Sequence, residues 1–394
     1  MTYRELLTLY KTGALEPGQA AEVAADIEKQ DAIGEYLWER EEIPGLAEPE
    51  ETEPTPAEDP MIRQIRRTVR RSFLKAGFVT GAVVLLIVLG TIFLLPRLVS
   101  GFYYDPTDTV AENEYGGVTR QMSLDLAVYT ELFVPCRIRT SVSAQPQGYG
   151  VYDIVIPQNI SFNRRFTTVS GRLQRNTLTL YDTNTLRLPA GNAFLLPESV
   201  SDSHNRCIDL ETGRQIGPAG SAEDALNTLE ELDPRDWYIG YVSLRELTDY
   251  DALMEWLDAL ELRYGSLWCA VYAEDEDGTS LLENVGFSAR GGGEILAWDT
   301  ERYPQLSYMG PDAEDDKTTH FLSLLRYMDD HRAFAEMMAG GSFGPFQFRA
   351  DKAAESIERD GLRIYGFAIG ARPEDLITLG QQDAVSYIYT EPMP

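Results

Sequence analysis

"IRRTVRRSFLKAGFVTGAVVLLIVLGTIFLLPRL", Ile65 to Leu98, decides how this 394-residue chain is organised. From Ala76 to Leu95 it carries no charge, and thirteen of those twenty residues are Val, Leu, Ile or Phe. At 1.5 Å per residue the run makes a helix of about 30 Å, the thickness of a bilayer's hydrocarbon core. Each large apolar side chain favours insertion by about 0.3–0.6 kcal/mol, so the run is read as a membrane span despite Gly77, Gly81 and Gly90. Arg63, Arg66, Arg67, Arg70, Arg71 and Lys75 precede it, and Arg97 alone follows closely. The positive-inside rule then places the N-terminus in the cytoplasm and the C-terminal region outside. Phe73 on one side and Phe102, Tyr103 and Tyr104 on the other are expected at the two interfaces. About 75 residues precede the run, too many for a cleaved signal peptide.

Working outward, the net charge of -29 divides unevenly. Residues 1–60 carry -12, the basic juxtamembrane flank 61–75 carries +6, and residues 97–394 carry -23. Both soluble parts are acidic, which argues against direct contact with nucleic acid or with an anionic lipid surface. Cys136, Cys207 and Cys269 are odd in number and lack C-x-x-C spacing, so neither a disulfide framework nor a zinc site is read, and burial as small apolar groups is expected.

The first 43 residues read as helices. Thr2 and Glu5 have capping-box spacing, and Tyr3, Leu6, Leu7 and Tyr10 share a face until Gly13 ends the helix. Pro17 suits the first position of a second helix, on which Ala20, Val23, Ala24 and Ile27 share a face. Ile33, Tyr36 and Leu37 point about 140° away from that stripe, implying a break near Asp31–Gly34 or one helix with two contact faces. So short a segment buries too little surface to fold alone and needs a partner. Its apolar stripes suit docking into a groove, and its carboxylates suit a basic protein. Residues 44–60, with five prolines and six acids in seventeen positions, read as an extended tether.

"LLTLYKTGAL", Leu6–Leu15, and "AAEVAADIEKQDAIGEYLWE", Ala20–Glu39, followed by a basic flank and one span, resemble the cytoplasmic end of membrane-anchored anti-sigma factors of Gram-positive bacteria. That family restrains extracytoplasmic-function sigma factors. "FYYDP" from Phe102, "MSLDLAVYTELFVPCRI" from Met122 and "GYGVYDIVIPQN" from Gly148 are similar to its N-terminal regulator region. "DWYIGYVSLRELTDYDALMEWLDALELRYGSLWCAVYAED" from Asp236 and "GLRIYGFAIGARPEDLITLGQQDAVSYIYTEP" from Gly361 are similar to its C-terminal domain. The resemblance is collective and omits residues from about 160 to 225 and the acidic stretch near 310. It implies a non-enzymatic protein that holds a sigma factor inactive until an envelope signal relieves it. Unlike zinc-containing anti-sigma domains, residues 1–43 have no His or Cys.

The expected fold class is therefore α+β: an all-α segment 1–43, a linker 44–60, a span 76–95, a β-rich region 97–225 and an α+β sandwich 226–394. Residues 118–200 read as strands and loops, "GVYDIVIP", "NTLTLYD" and "TLRLP" among them, whereas from about 222 strands and helices alternate, with helices over one sheet face. The expected partner-binding residues, chosen by apolar periodicity, are Leu6, Leu7, Tyr10, Val23, Ile27, Tyr36 and Leu37. The expected partners are the sigma factor and the bilayer, with a second membrane protein or a self-dimer at Gly77 and Gly81 left open; no cofactor is expected.

Candidate chemistry is weak. Asp275, Asp277 and Gly278 echo a calcium loop, but Ala273 and Asn284 stand where it needs acids, so a hairpin turn is expected. His320 and His331 fall about 16 Å apart along one helix, too far to share a metal. Ser203, His204 and Asp209 have the types of a triad without its spacing. "ARGGGE", Ala289–Glu294, lacks the Lys-Ser/Thr end of a phosphate loop, and the "NIS" sequon at Asn159 matters only in a eukaryotic secretory pathway. The rivals to the regulator reading are an envelope receptor with a different cytoplasmic partner and an anchored cell-wall hydrolase.

Overall fold

The computed structural model describes residues 9–11, 15–40, 60–138, 141–160, 166–181, 193–200, 208–211, 213, 215–290, 295, 297–307, 316–339 and 349–393. It is a mixed α and β structure that divides into two compact units, Met1–Val84 and Leu85–Pro394. Leu6, Leu7, Gly13, most of the linker, Ser203, His204 and Cys207 lie outside the described residues.

In the first unit, helix α1 spans Pro17–Arg40 and opens on Pro17, where the missing amide hydrogen costs nothing. It runs unbroken through Gly34, so of the two arrangements open to the sequence the continuous helix with two faces is the one adopted. Helix α2, Pro60–Leu89, enters the apolar run and continues as a π-helical turn, Gly90–Leu94, and helix α3, Leu95–Ser100. Together, residues 67–100 form one helical stretch long and apolar enough to cross a membrane. Pro96 explains the π turn: its ring collides with the carbonyl four residues earlier and it offers no amide, and the wider turn absorbs both defects.

Among the described residues the C-terminal unit holds three sheets. Strands β1, Thr109–Glu112, and β2, Val118–Arg120, form a short hairpin that leads into helix α4, Gln121–Phe133. Ten of the thirteen α4 residues are buried. This corrects the expectation of strands and loops from residue 118: a helix covered on nearly every side has no polar face and so no 3.6-residue pattern to read. Strands β3 (Arg137–Ile138), β4 (Ser143–Gly148), β5 (Val151–Ile160), β6 (Phe166–Gln174) and β7 (Thr177–Leu180) form the second sheet.

Helix α5, Ala222–Glu230, starts at a capping box made by Ser221 and Asp224. The third sheet follows, from β8 (Tyr238–Asp249), helix α6 (Tyr250–Ala259), β9 (Tyr264–Tyr272) and β10 (Gly286–Arg290). Helices α7 (Lys317–Asp330), α8 (Arg332–Ala339) and α9 (Ala350–Asp360) precede β11 (Arg363–Ala371), helix α10 (Pro373–Gly380) and β12 (Val385–Pro392). The order is β10-β9-β11-β8-β12, antiparallel throughout. Without β10 it is the β-α-β-β-α-β connectivity of a ferredoxin-like sheet, with β10 and three helices inserted between its second and third strands.

Both faces of this sheet are buried, by different means. Leu267, Cys269, Val271, Val242, Phe367 and Ile369 face one cluster with Leu253 and Leu257 of α6, Phe321 of α7 and Leu376 of α10. That cluster also takes in Ile154, Ile156, Val169 and Leu173 of the second sheet, so residues on both sides of position 225 share one core. The alternate residues Tyr241, Trp268, Ala270, Tyr272 and Tyr365 face the other way, onto Phe194 and Val200 of an irregular strap, residues 193–200. Phe194 packs against the rings of Tyr241, Trp268 and Tyr365 at centroid distances of 5.5, 6.0 and 5.9 Å. It lies directly over Gly366, where a Cβ would come within 2.7 Å of its ring. Leu195 N–H donates to Ser243 Oγ at 2.8 Å and pins the strap.

Phe194→Ala empties that aromatic socket and is expected to lower the stability of the chain by about 3–5 kcal/mol. The measurement is urea denaturation in detergent micelles, followed by the intrinsic fluorescence of the five tryptophans, Trp268 among them.

Candidate functional site

The site is the junction at which the apolar helix enters the C-terminal unit. Leu95 N–H bonds to the Gly90 carbonyl across the π turn, and Pro96 has no N–H to give, so the Thr91 carbonyl loses its usual amide partner four residues on. The hydroxyl of Tyr149 lies 3.4 Å from that oxygen. Tyr149 sits with Gly150 in the two-residue turn joining β4 to β5, and Arg175 with Asn176 in the turn joining β6 to β7. All four residues have positive φ, 57°, 72°, 49° and 67° in that order, the signature of the type I′ turn that suits strand twist. Holding Tyr149 and Arg175 in this region costs roughly 1–2 kcal/mol each, a strain found where contacts over-determine the backbone.

Those contacts converge on the helix end. Gly150 N–H donates to Ser100 Oγ at 2.9 Å, Tyr104 N–H to Asn176 Oδ1 at 2.8 Å, and Arg175 N–H to the Gly150 carbonyl at 2.9 Å, tying one turn to the other. Glycine is required at 150 because a Cβ would come within 2.7 Å of the Tyr103 ring. Tyr104 turns its hydroxyl into the protein, Tyr103 is half-buried against Gly150, and Phe102 is 83% exposed.

Tyr104 carries the junction inward. Its hydroxyl donates to Asp125 Oδ2 at 2.6 Å, and Tyr327 on α7 donates to Oδ1, also at 2.6 Å. Gln121, one turn earlier on α4, donates to Oδ1 at 2.8 Å. Burial is the largest influence on Asp125 and raises its pKa, while the bonds from Tyr104 and Tyr327 pull it back down. Burial and the adjacent carboxyl push both tyrosines far up, so they remain donors at any physiological pH.

Six residues along the same helix, Glu131 makes the second polar cluster. Its Oε1 faces His320 Nε2 at 2.9 Å and accepts the Ser288 N–H at 3.3 Å, and its backbone carbonyl takes the Trp268 indole N–H at 2.6 Å. His320 Nδ1 lies 2.6 Å from the Gln305 carbonyl, which can only accept, so Nδ1 carries a proton. With a carboxylate on the other nitrogen, the geometry fits imidazolium and carboxylate. Burial opposes the charge most strongly, but the Glu131 carboxylate and the Gln305 carbonyl together outweigh it, and the pKa of His320 is raised.

The other sequence candidates resolve into structure. His331 stacks on Tyr327 at 4.1 Å, its Nδ1 2.8 Å from the Tyr327 carbonyl. Asp275 Oδ1 accepts the amides of Asp277 and Thr279 around Gly278, the hairpin turn expected in place of a calcium loop. Asp209 accepts the Glu211 amide in a turn of its own. Cys136 and Cys269 are buried free thiols, and burial pushes Cys136 up to about 11. Of the expected partner-binding residues, Val23 is 5% exposed, Tyr10 and Ile27 are half-buried, and Tyr36 and Leu37 lie on α1; Ile33 beside them is 51% exposed. Sequence reasoning missed Tyr149, Asn176, Asp125, Glu131 and Tyr327. The Tyr-Gly and Arg-Asn pairs between β-rich runs were the available signal for the turns.

The chain matches no protein-family model, no curated protein and no solved structure.

Tyr327→Phe removes one donor from a buried acid and is expected to cost about 1.5–3 kcal/mol in the same denaturation measurement. The His320 pair has a pH signature. Because its folded pKa lies above the ordinary 6.5, its contribution is complete below that value and is lost as the pH rises through the raised pKa. The midpoint of thermal unfolding should fall with pH in that window, and His320→Gln should flatten the dependence.

Proposed function

We propose that this chain is a non-enzymatic, single-span regulator whose N-terminal helices hold an extracytoplasmic-function sigma factor at the cytoplasmic face of the membrane, while the C-terminal unit lies outside and governs its release. The observation that carries this reading is the order of parts: a short acidic helical segment, a cationic flank, one apolar helix, and a large folded body. The segment is too small to bury a full core of its own, and α1 leaves Ile33 exposed on its second face. That face is the surface for a partner helix or groove, and the carboxylates around it suit a basic protein. Docking there would cover surfaces that a sigma factor needs for polymerase or promoter.

Relief of the restraint has three routes compatible with one span: proteolysis, a change of pairing with another copy at Gly77 and Gly81, or pairing with a second membrane protein. Neither glycine has an atom within 4 Å of where a Cβ would stand, which leaves both free for close helix approach. The junction described above supports any of these routes, because it couples the end of the apolar helix to the body through short polar contacts.

The test uses the full chain, tagged at its C-terminus and extracted in detergent from host membranes. One extracytoplasmic-function sigma factor should co-purify in near-equal amount, and Ile33→Glu should weaken it by roughly tenfold, the loss of one apolar anchor. If none of the host's sigma factors is retained, the envelope-receptor reading takes its place.

A further inference from the structure

We propose that the tips of the β4–β5 and β6–β7 hairpins sit in the phospholipid headgroup layer of the leaflet that helix α3 leaves, so that the folded body rests on the bilayer as well as being tethered to it. This rests on the reading of residues 67–100 as a membrane span.

Depth argues for it first. Thr91 lies four residues before Leu95, the last residue of the apolar run Ala76–Leu95, or about 6 Å toward the bilayer centre along a helix. The Tyr149 hydroxyl reaches that carbonyl, and the preceding Gly148 lies against Pro96, where a Cβ would be 3.5 Å from the ring's Cβ. A turn whose side chain descends below the end of the apolar run cannot stand clear of the lipid on that side of the helix.

The chemistry of the tips agrees. The apolar surface of the helix continues through Leu98, 65% exposed, to Phe102, 83% exposed, while Tyr149 offers an apolar ring with a polar tip, the type that gathers at membrane interfaces. Arg97 and Arg175 are both exposed at this end of a region that otherwise carries a strong negative charge. Guanidinium groups there meet lipid phosphates in geometry they bind well.

The experiment places a bimane label at Phe102→Cys and separately at Tyr149→Cys, in full-length protein carrying Cys207→Ser, reconstituted into vesicles of phosphatidylglycerol and phosphatidylcholine. Controls are Leu86→Cys within the apolar helix and Leu210→Cys, fully exposed on the body. A lipid nitroxide near the ester end of the acyl chain should quench labels at 102 and 149 roughly threefold more than the label at 210, and aqueous iodide should quench them less. Phe102→Cys guards against the loss of packing that Tyr149→Cys brings. If the labels at 102 and 149 behave like the one at 210 while the label at 86 is quenched by a nitroxide near the acyl methyl end, the headgroup proposal falls and the span stands. If the label at 86 escapes lipid quenching, both fall. Shielding of 102 and 149 from lipid and iodide alike shows a protein surface over the tips and also overturns the proposal.

Discussion

A carboxylate taken out of water must be surrounded by donors, and the arrangement around Asp125 follows from that need. Its three donors come from the segment after the apolar helix, from α4 itself and from α7. Tyr104 turns inward to the buried acceptor that Asp125 offers, and its ring packs on Phe334 of α8 at 5.8 Å. Deleting Asp125 takes the acceptor from both tyrosine hydroxyls, and deleting either tyrosine takes one donor from a buried carboxyl, which is why a network of this kind holds segments together as a unit.

The same logic runs toward the apolar helix. A proline near the end of an apolar helix frees carbonyls where water is scarce, and each such group is costly in hydrocarbon. In this chain the released Thr91 carbonyl meets a tyrosine hydroxyl delivered by a β-turn. The turn in turn holds Ser100 and, through Arg175, the neighbouring hairpin. The helix end and the body are thus joined by several polar contacts as well as by the chain itself.

The ferredoxin-like sheet shows where pattern reading succeeds. Its strands β8 and β9 and helices α6 and α10 have regular faces, and their alternation was visible in "WYIGYVSL", "SLWCAVYA" and the helical runs between them. The pattern failed at α4, whose burial on nearly all sides erases periodicity, and at residues 193–200, an irregular strap whose value lies in one aromatic ring over a glycine. Val23 marks a different limit: periodicity correctly grouped it with an apolar stripe, but cannot tell a stripe that meets a partner from one already covered within the chain.

By itself, the sequence determined the long uncharged helix, the cationic flank before it, the acidic parts on both sides and most strands and helices of the C-terminal sheet. These follow from local composition and period, which act over a few turns of chain. Only the tertiary structure decided that Tyr104 faces Asp125, that Glu131 pairs with His320, and that Tyr149 returns to Thr91. Those partners stand 21, 189 and 58 positions apart, and no local rule selects among the many groups that could satisfy a buried acid or an orphaned carbonyl. Packing makes that choice, because only the folded arrangement brings one donor within reach and excludes water from the rest.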